Sequence, residues 1–118
     1  MPTQNFSAVV ATPGTPQRIT SATVPAQAAL TGALAGSLSV RGNSIIFQAA
    51  PSNTASKSIF IGGPTMNVAA KTGIGNVLTP GQFSPSIYIS GTSDLGDFWI
   101  DTDSATAANE RVYVMVTG

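Results

Sequence analysis

Apolar and polar side chains alternate in short runs along most of the chain. SIIFQA at 44–49 sets Ile45 and Phe47 on one face and Ile46 and Gln48 on the other; SIFI at 58–61 repeats this with Ile59 and Ile61. SIYIS at 86–90 turns Ile87 and Ile89 inward and Tyr88 outward. RVYVMV at 111–116 turns Val112, Val114 and Val116 inward and leaves Tyr113 and Met115 outside. A period of two is that of a strand with one buried face. DFWID at 97–101 predicts a fifth strand and LSV at 38–40 a sixth.

Eight prolines and twelve glycines punctuate these runs, which is turn chemistry and not helix chemistry. PSNTAS at 51–56 predicts a hairpin loop, GGP at 62–64 a break, and TPGQ at 79–82 a tight turn with Pro second and Gly third. IGGPTM and KTGIGNV lack the spacing of a phosphate-binding loop and are expected to be turns as well. Only PAQAALTGALA at 25–35 carries a helical pattern, and Gly32 interrupts it. The expectation is an all-β fold: a single-domain antiparallel β-sandwich or jelly roll.

A chain of 118 residues has room for one core. Four of the eight prolines fall in residues 1–28, which are expected to form an N-terminal arm or a hairpin, with 29–118 as the sandwich domain. Residues 1–6 are expected to be loose unless a partner holds them.

Charge narrows the function classes. Only 8% of residues are charged and the net charge is zero, so no field gathers phosphates and nucleic-acid binding is disfavoured. A weakly charged surface rich in small polar residues suits a protein that packs against copies of itself. The absence of Cys and His excludes disulfides, thiol chemistry, His-based zinc sites and His-dependent triads. No cofactor is expected, nor a membrane partner: no apolar run approaches the length of a span, and MPTQNF is not a secretion signal, which predicts synthesis in the cytoplasm.

The acids are concentrated. Asp94, Asp97, Asp101 and Asp103 fall in DLGDFWIDTD, and Glu110 is the only other carboxylate; Arg18, Arg41, Lys57 and Lys71 all precede them, while Arg111 follows. Calcium binding needs six to eight oxygens, and this spacing does not match an EF-hand loop, so no metal site is assigned. A glycosidase pair does not fit either, since Asp97 and Asp101 on one strand would stand about 13 Å apart. No catalytic residue is assigned, and the protein is not expected to be an enzyme. Turn and strand-end positions favour Asp anyway. The alternative role is the acidic side of a contact between subunits, complementary to the basic first part of the chain. Phe60, Tyr88, Trp99, Tyr113 and Met115 alternate with core positions, so an outer face carries residue types enriched at interface centres. These five, with Asp94, Asp97, Asp101 and Asp103, are the candidate subunit-interface residues.

From Arg41 onward, RGNSIIFQAAPSNTASKSIFIGGPTM, LTPGQ, SIYIS, DFWID and ERVYVMV follow one another in an order that resembles small all-β virion proteins of tailed bacteriophages. The resemblance lies in an F-Q-A-x-P-x-N step, an I-x-I-G strand, an L-x-P-G turn, a tryptophan strand closed by Asp and an R-V-x-V terminal strand. Such proteins are similar in size to capsid decoration, or cement, proteins. The resemblance implies a homotrimer on the outer capsid surface of the virion, with the major capsid protein as partner. A carbohydrate-binding adhesion module of a tail or fibre is the alternative, with Trp99 beside acids as a sugar platform.

Overall fold

The computed structural model describes residues 4–10, 12–19, 39–94, 97–106 and 109–117, with side chains described for these except 4–6, 39–41 and 90–94. The strands are β1 (Gln4–Val9), β2 (Gln17–Arg18), β3 (Ser39–Ala49), β4 (Ile59–Asn67), β5 (Thr72–Leu78), β6 (Ile87–Asp94), β7 (Trp99–Thr102) and β8 (Arg111–Thr117). They form two four-stranded antiparallel sheets, here A and B, with orders β1-β8-β3-β6 and β2-β7-β4-β5. The pairings are nested: β1 with β8, β2 with β7, β3 with β6 and β4 with β5. The chain is therefore one long hairpin doubled at the β4–β5 turn, and the β3–β8 and β4–β7 pairings roll it into two sheets.

The period-two runs decide which face is buried. Ile45 and Phe47 of β3, Val112, Val114 and Val116 of β8, Ile59 and Ile61 of β4, Leu78 of β5 and Ile100 of β7 are at most 2% exposed and form one cluster. Both sheets contribute to it, so they are the two layers of a β-sandwich around a single core. Their alternate neighbours Ile46, Gln48, Phe60, Tyr88, Tyr113 and Met115 are half-buried or exposed, as the alternation predicts.

The sequence reading and the structure differ at several elements. Ser39 and Val40 of LSV belong to the same strand as SIIFQA, β3, with a register shift between Gly42 and Ser44 where the pairing with β6 is interrupted. PSNTAS is not a hairpin loop, because β3 and β4 lie in different sheets and the loop crosses between them. IGGPTM and KTGIGNV lie largely within β4 and β5, and GGP does not break β4. Glycine serves close approach here: a Cβ on Gly62 would lie 2.3 Å from the Gly73 carbonyl oxygen. TPGQ does form the predicted turn, with Gln82 N donating to Thr79 O at 2.9 Å and Gly81 at φ +83°. Residues 4–9 and 17–18, expected in an extended arm or in a hairpin joined to the sheet, lie in the two sheets and pair with β8 and β7, not with each other. The helical pattern at 25–35 lies outside the described residues.

Candidate interaction surface and the acidic segment

Sheet A presents its outer face through the alternate residues of β8, β3 and β6. Register places Tyr113 between Ser7 and Gln48, Met115 opposite Ile46, and Ser44 between Thr117 and Tyr88. Ser44 Oγ and Thr117 Oγ1 are hydrogen-bonded at 2.6 Å. Beyond β3 the strand-like segment 82–84 extends the face: Ala49 N donates to Gln82 O, Ser84 N to Phe47 O, and Phe83 stands opposite Gln48. Tyr88 is 77% exposed, Phe83 53% and Tyr113 38%, and Met115 and Ile46 are half-buried beside them. Arg111 is the only charged group among the described side chains of β1, β3, β6 and β8 on this face. Among the described side chains it is an aromatic surface with one charge.

Sheet B is more enclosed. Trp99 lies between Arg18 and Gly62, and Phe60 between Asp101 and Val77. Both aromatic rings are half-buried, Val77 is about half exposed, and Asp101 is fully buried. Val68 and Ala69 of the β4–β5 turn share a groove with Pro13, Gly14 and Thr102, so the hairpin tip reaches back toward the end of β7.

The acids do not form one exposed rim. Asp101 Oδ1 accepts hydrogen bonds from Gly14 N at 2.9 Å and Thr102 N at 2.8 Å, while its Oδ2 is buried without a hydrogen-bond partner. Asp103 is exposed and its Oδ1 accepts from Ser58 N at 2.8 Å. Glu110, 1% exposed, accepts from Thr54 N at 2.7 Å and from Asn109 Nδ2 at 3.0 Å. Each of these carboxylates thus captures the backbone N–H of a loop distant in sequence. Asn53 completes the arrangement: its Oδ1 accepts from Arg111 N and its Nδ2 donates to Arg111 O, both at 2.8 Å. Burial pushes the Glu110 carboxyl up, but the hydrogen bonds from Asn109, Thr54 and Ser104 outweigh it and hold the group below its ordinary value of 4.5.

Asp101 is therefore corrected: buried to 0% exposure, it cannot meet a second subunit and acts inside its own chain. Asp97 is exposed and stands apart, before β7 begins. Asp94 closes β6, and its side chain lies outside the described ones. Among the described residues no three acids are grouped to hold a metal ion. Tyr88, Tyr113 and Met115 come together on the face of sheet A; Phe60 and Trp99 lie on the opposite layer. Sequence reasoning missed Phe83 and Ile46. Ile46 sits at an outward position of an alternating strand and was legible there; Phe83 was not, because its outward placement comes from pairing with β3 outside any alternating run. Compared with protein-family models, with curated proteins and with solved structures, the chain matches none.

Proposed function

We propose that the chain is a non-enzymatic structural protein of a phage virion: a decoration, or cement, protein that forms a trimer on the outer capsid surface and bridges capsid subunits. The observation that carries this is the outer face of sheet A, where Tyr88, Phe83 and Tyr113 are exposed beside a single described charge. Three things support it further: the low charge of the whole chain, the resemblance running from Arg41 to the terminal strand, and the nested pairing of the strands. We take that nesting as a jelly roll, an architecture used by capsid proteins and lectins alike.

The energetics favour many weak contacts. Fully burying one exposed large apolar side chain contributes about 1.5–3 kcal/mol, so three aromatics that are already partly covered supply less than about 9 kcal/mol. Association costs about 4–15 kcal/mol in lost freedom. One such face is marginal alone, and a trimer that engages several capsid subunits at once gains through effective concentration. Each bridge then adds contacts that shell dissociation must break, and no bond is made or cut.

Cosedimentation with expanded capsid shells tests the proposal. The protein should pellet with shells, saturate at a fixed ratio to the capsid subunit, and raise the temperature at which the shells disrupt. Failure to pellet, together with retention on immobilised glycan, would replace it with the adhesion module.

A further inference from the structure

On the side where β5 and β6 are the outermost described strands, an open groove of about 370 Å³ lies between the two sheets. Its lining includes Ile61 of β4, Ile87 at the start of β6, and Phe98. Phe98 is anchored, with its ring edge-on to the core ring of Phe47 at a centroid distance of 5.1 Å. Along β5 the lining includes Gly73 and Gly75, both exposed. Among the described residues of the lining, Asp97 is the one that is charged.

Among the described residues, the strand beside this groove is an edge. Among the described strands β5 pairs with β4 alone, so alternate amide and carbonyl groups of Thr72–Leu78 point away from the sheet. Its sequence, TGIGNVL, contains none of the lysines or prolines that usually blunt an edge. A free edge next to an apolar slot is the geometry of strand addition, in which main-chain bonds give affinity and the slot selects a side chain.

We propose that β5 and this groove receive an extended segment of another protein. The segment adds as a fifth strand to sheet B, sets one aliphatic side chain against Phe98 and Ile87, and brings a Lys or Arg to Asp97. Pairing with a second copy of β5, which exposed Lys71 directly precedes, is the competing occupant, and concentration-dependent shifts along β5 without any peptide would overturn the proposal. The inference goes beyond the virion proposal and does not depend on it, since it uses the edge of one sheet and not the outer face of the other.

The test is a titration of the isotope-labelled 118-residue chain, followed by NMR. The probe is a blocked synthetic heptapeptide of alternating threonine and valine ending in lysine, added to millimolar concentration. Saturable shifts are expected at alternate amides between Gly73 and Leu78 and at Asp97 and Phe98. The same peptide with a central proline should produce none. Replacing its lysine with glutamate should weaken binding about threefold, the scale of an exposed ion pair, and Asp97→Lys should reverse that preference. No saturable shift along β5, equal shifts with the proline peptide, or shifts confined to the surface around Tyr88 and Tyr113 would overturn the proposal.

Discussion

The two sheets share one core and turn different outer faces to their surroundings. Sheet A shows exposed Tyr88, Phe83 and Tyr113 on a face whose side chains make few polar commitments within the chain. On sheet B the corresponding layer holds half-buried Phe60 and Trp99 and a fully buried Asp101 that fastens the Gly14 loop. The same sequence pattern, an outward residue every second position, produces both. What differs among the described residues is that a loop is fastened at the outer layer of sheet B by the hydrogen bond from Gly14 N to Asp101, which the alternation itself does not encode. Asp101 on β7 thus serves enclosure, while the aromatics of sheet A remain available for contact.

This contrast is open to attack at several places. The largest effect is expected in the layer common to both faces: Phe47→Ala should cost about 3–5 kcal/mol, a large part of a typical domain's stability of about 5–15 kcal/mol. It should damage both faces together, as a lowered denaturant midpoint will report. Asp101→Ala should cost less, about 1–3 kcal/mol, because the Gly14 and Thr102 amides lose their acceptor; loss of the unpartnered Oδ2 offsets part of that. If sheet B is closed as described, proteolysis in the 12–15 loop should accelerate in this variant while Tyr88 and Tyr113 retain their exposure.

Acid provides the next test. The Glu110 carboxyl is held below 4.5 in the folded chain, so the folded state binds this proton less tightly than the unfolded chain does. Its stabilising contribution is fully present above pH 4.5 and is lost as pH falls through the lower folded value. Glu110→Gln should therefore be less stable than the natural chain at pH 7, and the gap should narrow below pH 4.5 in urea titrations. A gap independent of pH would remove Glu110 from the set of loop fasteners. The smallest effect on folding is expected on the open face: Tyr88→Ser should change monomer stability by no more than about 0.5 kcal/mol.

The fold was legible because its core is written in strict alternation: Ile45, Phe47, Ile59, Ile61, Val112, Val114 and Val116 all point inward as the sequence predicts. Partner choice was not legible. Nothing local says that β3 should join β8 and β6 in place of β4, so PSNTAS passed for a hairpin loop. The glycines of β4 and β5 hid a strand pair, because their function is to let two backbones approach and glycine is also the commonest sign of a turn. The acids were noticed but misplaced. Their spacing predicted a strand with charged ends, whereas Asp101 owes its burial to Gly14, 87 residues away in sequence.

On the proposed function, the open face of sheet A makes contact between chains and the enclosed face of sheet B does not. Light scattering on the natural chain and on a Tyr88→Asp, Tyr113→Asp variant, near neutral pH, tests it directly. A natural assembly of three times 11.9 kDa is expected, and a variant that falls to 11.9 kDa while keeping its far-ultraviolet spectrum. A natural chain at 11.9 kDa, or a variant that keeps the mass of the trimer, would contradict it.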